Sequence, residues 1–64
     1  MRESEFWRRM DKRFTEPYAR SVAADYRLPL LGATVDEALA RGEDPKAIWA
    51  AVCEAFDVPG QLRH

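Results

Sequence analysis

The chain has 64 residues, which is enough for one domain and too few for two. A charged fraction of 33% beside a hydrophobic fraction of 47% is typical of a folded domain and not of a disordered chain. A net charge of −1 argues against a dedicated polyanion binder, and a single cysteine excludes an intrachain disulfide. No signal-peptide core follows Met1 and no apolar run reaches the ~18 residues of a membrane span, so we expect a cytoplasmic protein without membrane contact.

Large apolar residues recur at intervals of four in three stretches, and this spacing draws one stripe along an α-helix. The prolines divide these stretches, because proline is tolerated in the first turn of a helix and disfavoured in its interior. The pattern therefore predicts an all-α, compact single-domain bundle of about four short helices. The stripes are Phe6, Met10 and Phe14; Tyr18, Val22 and Tyr26; and Ile48, Val52 and Phe56.

The first helix is predicted over residues 5–14, with Ser4 as its N-cap, because a serine precedes the first apolar residue of the stripe. The second is predicted over residues 17–26, because a proline suits its first position. Its N-cap is expected to be Thr15 or Glu16.

An apolar stretch at residues 28–32 follows, interrupted by a proline and a glycine, and we interpret it as a buried connector. The third helix is predicted over residues 35–41. Thr34 and Glu37 have the spacing of a capping box, in which each side chain accepts a hydrogen bond from the backbone of the other. Gly42 suits the end of this helix, because glycine tolerates a left-handed backbone.

The fourth helix is predicted over residues 45–56, with Asp44 as its N-cap. Its wide apolar face places it at the centre of the bundle, with Cys53 as a small buried hydrophobe. The short connection before it resembles a helix-turn-helix, but acidic residues on its exposed side argue against DNA reading. The domain spans residues 1–64, of which residues 61–64 are expected to fray. The expected core contains Phe6, Trp7, Met10, Phe14, Tyr18, Val22, Leu39, Ile48, Trp49, Val52 and Phe56.

Candidates for catalysis and metal binding are nearly absent from the sequence. His64, the one histidine, is the last residue, where we expect no fixed catalytic geometry. One cysteine and one histidine exclude a standard zinc site. The acidic residues between positions 36 and 44 are explained by helix capping and by the helix dipole. We therefore expect no enzyme, no cofactor and no metal.

The first helix carries four cations within an arc of about 140° around its axis, which we call the basic strip. It could meet carboxylates of a partner protein or phosphates of a nucleic acid, or it is a solvated face that Glu5 stabilises. We favour another protein as the partner and keep nucleic-acid binding as the alternative. Charge reversal at Arg9 and Arg13 should then abolish binding and leave thermal stability nearly unchanged. The expected partner-binding residues are Arg8, Arg9, Lys12 and Arg13, the basic strip, with Trp7 as an aromatic anchor.

Three blocks of sequence resemble a family of short actinobacterial proteins, domain-of-unknown-function family 3046. They are EFWRRMD at residues 5–11, TVDEALARG at 34–42 and DPKAIWAAVCEAFDVP at 44–59. The likeness covers nearly the whole chain, and the last block is its most specific part. It implies a link to DNA repair, because genes of the family often lie near that of the recombinase for homologous repair. It assigns no site residues. From the lack of catalytic candidates and from the basic strip, we expect a non-enzymatic small protein-binding or regulatory module.

Overall fold

A computed structural model describes residues 1–56, which fold into four helices. No strand occurs among these residues, where an isolated bridge joins Leu28 to Ala33. The all-α prediction is confirmed. Residues 61–64, which were expected to fray, lie outside the described residues. The helices are α1 (Glu3–Phe14), α2 (Glu16–Asp25), α3 (Val35–Ala40) and α4 (Pro45–Ala55).

The first helix begins earlier than its sequence predicts. Its N-cap is Arg2, whose side chain makes no capping hydrogen bond. The prediction that Ser4 is the N-cap is therefore wrong, and Ser4 lies within the first turn. Glu3 and Glu5 in that turn stabilise this end, because the amino end of a helix carries partial positive charge. The other three helices each end one residue before the predicted position.

Side-chain caps begin α3 and α4 as predicted. The Thr34 Oγ1 accepts from the Glu37 backbone N–H at 3.1 Å, and the Glu37 Oε1 accepts from the Thr34 N–H at 2.9 Å. The Asp44 Oδ1 accepts from the Lys46 N–H at 3.0 Å. These bonds satisfy amides that have no partner inside the helix. By contrast, Thr15 occupies the predicted N-cap position of α2 without a side-chain cap bond.

The turn between α3 and α4 is a Schellman motif. The Gly42 N–H donates to the Leu39 carbonyl and the Glu43 N–H donates to the Ala38 carbonyl, both at 3.0 Å. Gly42 has φ +84°, a left-handed conformation that glycine adopts without steric cost. A connection of four residues, 41–44, therefore joins α3 to α4, as short as the sequence predicts.

All four helices contribute buried residues to the core, and α2 turns a different face inward from the one predicted. Its buried residues are Ala19, Val22 and Ala23, whereas Tyr18 is 58% exposed. The prediction that Tyr18 belongs to the core is therefore wrong. Buried alanines bring the backbone of α2 close to its neighbours, which leaves the tyrosines at the surface. Of the other expected core residues, Phe6, Met10, Phe14, Val22, Ile48, Trp49 and Val52 are buried, and Trp7, Leu39 and Phe56 are half-buried.

The connector between α2 and α3 is buried only in part. Leu28 is fully buried and its N–H donates to the Ala33 carbonyl at 2.9 Å, whereas Leu30 is 66% exposed. The prediction of a buried connector is thus wrong for Leu30. Gly32 has φ +62° and turns the connector, so that Leu28 and Ala33 at its two ends come together.

Candidate functional site

Two residues of the basic strip face solvent. Arg8 and Lys12 are exposed and lie one helical turn apart on the side of α1 that points away from the core. Neither forms an ion pair or a side-chain hydrogen bond with any residue in the range 1–56. Arg8 also borders an open depression of about 510 Å³ at the start of α1. These two cations are free to meet a ligand.

The other two cations of the strip lie at the edge of the core. The Arg9 side chain is only 20% exposed, and its Nη2 lies 3.5 Å from the Glu5 Oε2. Its Nη1 is buried without a hydrogen bond among the described residues. The guanidinium carbon of Arg13 lies 4.8 Å from the centroid of the Phe14 ring. Arg9 and Arg13 therefore contribute to packing as well as to charge.

Trp7 lies at the opposite edge of the same helix, about 160° around its axis from Arg9. Its half-buried ring packs edge-on against Phe6, with centroids 5.3 Å apart, and its Nε1–H donates to the Glu3 Oε2 at 3.4 Å. The guanidinium carbon of Arg20, from α2, lies 3.8 Å from the Trp7 centroid. This is a cation–π contact, and it covers the face of Trp7.

The predicted residues therefore line the side of α1 that faces away from the core. Trp7 marks one edge, Arg9 and Arg13 mark the other, and Arg8 and Lys12 stand between them. Sequence reasoning missed Arg20, which joins this surface at the Trp7 edge. No pattern within α1 indicates it, because the contact depends on how α2 packs beside α1.

Acidic side chains divide the outward half of α1. Glu5 lies beside the exposed cations and pairs with Arg9, and Asp11 lies on the Trp7 side. The Asp11 Oδ1 is buried and has no hydrogen-bond partner among residues 1–56. The surface is thus an arrangement of separate cations with acids between them, not a continuous positive field.

A second exposed patch lies on α2. Tyr18, Val22 and Tyr26 line an open groove of about 250 Å³ together with Ser21 and Asp25. The Tyr26 ring also lies near Phe56. The sequence did not predict this groove, because the apolar spacing of Tyr18, Val22 and Tyr26 is typical of a helix face that packs against the core.

The acidic residues near α3 have structural partners. Glu43 pairs with Arg41 at 2.8 Å. The pKa of the Glu37 carboxyl lies below its ordinary value, mainly because the carboxylate accepts the Thr34 backbone N–H. Within residues 1–56, no three His, Cys, Asp or Glu side chains are grouped so that they could hold a metal ion. Cys53 is buried with a free thiol, as predicted, and His64 lies outside the described residues.

Each helix in the described part of the chain is too short or too polar to cross a bilayer. Comparison with known proteins finds one protein-family model, described as "Protein of unknown function (DUF3046)", which matches residues 1–61. No curated protein and no solved structure matches the chain.

Proposed function

We propose that this chain, which belongs to the DUF3046 family, is a non-enzymatic protein-binding module whose α1 holds an acidic segment of a partner protein. The observation that supports this function is the pair Arg8 and Lys12, exposed one turn apart without an ion-pair partner among residues 1–56. We place the module in the cytoplasm. A regulatory link to DNA repair rests on the gene neighbourhood that the family resemblance implies.

The expected interaction is weak for each contact and depends on salt. An exposed ion pair contributes about 0.2–1 kcal/mol, because water screens both charges. Several such pairs mainly steer the partner and set its register, and they raise the association rate more than the affinity. A partner segment with carboxylates about one helical turn apart would match Arg8 and Lys12.

Nucleic-acid binding by the same face remains the second candidate. A DNA strand carries a charge at every phosphate, so it would bring negative charge against Glu5 as well as against the cations. A peptide can place its carboxylates only where Arg8 and Lys12 stand. The position of Glu5 beside Arg8 and Lys12 therefore favours the peptide.

The deciding experiment is an NMR amide-shift titration of the labelled full chain. Short polyglutamate peptide and short single-stranded DNA are added separately, at ~50 and at ~200 mM salt. We expect polyglutamate to shift Arg8, Lys12 and their neighbours, and to shift them less at the higher salt. DNA shifts that survive ~200 mM salt would replace the proposal by nucleic-acid binding. Shifts confined to Tyr18 and Tyr26, or no shifts, would show that α1 is not the binding surface.

A matched pair of variants separates a local effect from a general loss of charge. Lys12→Glu and Lys46→Glu make the same change at two exposed helical positions, one on α1 and one on α4. We expect Lys12→Glu to weaken polyglutamate binding several-fold, and Lys46→Glu to preserve it. This pair is a cleaner test than charge reversal at Arg9 and Arg13. Those two residues pack at the edge of the core, so we now expect their reversal to lower thermal stability as well.

A further inference from the structure

We infer that Arg20 determines the specificity of this surface, because Trp7 holds its guanidinium in position as a ready donor for a carboxylate of the partner. This inference rests on the proposed function. It adds a residue of α2 to a binding surface whose predicted residues all lie on α1. The supporting geometry is the 3.8 Å separation between the Arg20 guanidinium carbon and the Trp7 ring centroid.

Two contacts hold the Trp7 ring in place. It packs edge-to-face with the Phe6 ring, and its Nε1–H donates to the Glu3 Oε2. A ring held by these two contacts, on a residue in the second turn of α1, offers a fixed platform. Arg20 stacked on it has fewer conformations left to lose on binding than an arginine in free solvent.

The hydrogen-bonding capacity of Arg20 is unused within residues 1–56. Arg20 is exposed, and no hydrogen bond or ion pair involves its guanidinium. Glu3 and Asp11 lie on the same side of α1, but neither pairs with it. A guanidinium has five N–H donors in its plane, so contact of its face with a ring leaves the donors at its edge available. That edge matches the two oxygens of a carboxylate.

The position of Arg20 suits an extended acidic segment that crosses α1. Arg8 follows Trp7 in the sequence and lies about 100° further around the helix, toward solvent. A segment with one carboxylate on Arg20 and others on Arg8 and Lys12 would span the boundary between α1 and α2. The partner is thus an acidic peptide segment in which one carboxylate binds bidentately.

The test uses the labelled full chain, with polyglutamate peptide as the probe. The signals followed are the Arg20 Nε–H and the Trp7 indole N–H, because both lie at the proposed contact. Arg20→Lys keeps the charge and removes the planar fork, and we expect it to weaken polyglutamate binding about three- to tenfold. Arg41→Lys makes the same change on the α3–α4 connection, and we expect it to bind as the unmodified chain does.

Trp7→Leu provides a second variant that leaves Arg20 unchanged. It removes the aromatic platform, so we expect weaker polyglutamate binding and a downfield move of the Arg20 Nε–H signal, which the ring no longer shields. Thermal unfolding of both variants checks that they fold.

The outcomes separate the inference from the proposed function. If Arg20→Lys binds polyglutamate normally while Lys12→Glu does not, the α1 surface stands and the role of Arg20 is refuted. If the unmodified chain shows no binding, both are refuted. If Arg20→Lys weakens binding of single-stranded DNA more than binding of polyglutamate, the carboxylate partner is refuted.

Discussion

The ring of Phe14, the last residue of α1, lies 5.0 Å from the ring of Phe56, the residue after α4, in an edge-to-face arrangement. Two tyrosines of the α2 region extend this pair. The Phe14 and Tyr18 centroids are 5.9 Å apart, and those of Tyr26 and Phe56 are 4.6 Å apart. The four rings connect the end of α1, both ends of α2 and the end of α4.

This cluster predicts a measurable coupling between Phe14 and Phe56. Edge-to-face aromatic pairs add about 0.5–1.5 kcal/mol beyond the area they bury. Urea unfolding of Phe14→Leu, Phe56→Leu and the double variant should give a coupling energy in that range. Phe6→Leu combined with Phe56→Leu is the control, and its effects should add. A coupling energy near zero for Phe14 and Phe56 would contradict the contact.

The close approach of α2 predicts opposite outcomes at two neighbouring alanines. Ala23 is fully buried and Ala24 is exposed. Ala23→Leu should destabilise the fold by about 1–3 kcal/mol, because the added carbons have no space in a packed core. Ala24→Leu should change the free energy of unfolding by less than about 0.5 kcal/mol. Chemical denaturation measures both, and equal effects would mean that a different face of α2 is buried.

The backbone conformation of Thr15, between α1 and α2, predicts that a glycine at this position stabilises the fold. Its φ of +63° and ψ of 157° lie in a region that suits glycine and strains a β-branched residue. Thr15→Gly should raise the free energy of unfolding by about 1 kcal/mol, the relief of strain less the extra freedom of the unfolded chain. Ser4→Gly, within α1, should lower it, because glycine disfavours a helix. A loss of stability in Thr15→Gly would contradict this backbone conformation.

The capping box predicts an acid-dependent contribution from Glu37. Its folded pKa lies below the ordinary value of 4.5, mainly because the carboxylate accepts the Thr34 backbone N–H. A lowered folded pKa means that the charged carboxylate stabilises the fold above pH 4.5 and that this contribution disappears as the pH falls through the folded pKa.

Glu37→Gln keeps an oxygen acceptor and removes the charge, so it tests this dependence directly. The unmodified chain should have the higher Tm at pH 7, and the two Tm values should converge in acid. Glu16→Gln, in the first turn of α2, controls for a general change of charge. A Tm difference that stays constant from neutral pH into acid would refute the role of the carboxylate.

The face that α2 buries shows why hydrophobic periodicity alone was insufficient to predict which of its residues are in the core. The stripe of Tyr18, Val22 and Tyr26 and the group of Ala19, Val22 and Ala23 share one residue and lie close together around the helix. Hydrophobic spacing favours the larger side chains. The fold buries the alanines because a helix packs closely through small side chains, and a tyrosine can keep its hydroxyl in water.

The sequence by itself determined the helices and the caps at Thr34, Glu37 and Asp44. A helix and its cap are made by bonds between residues at most four positions apart, so a local pattern contains all that they need. Only the tertiary structure decided that Arg20 covers Trp7 and that Arg9 lies at the edge of the core. These contacts depend on the angle and the distance at which helices cross, and the packing of the whole core sets both.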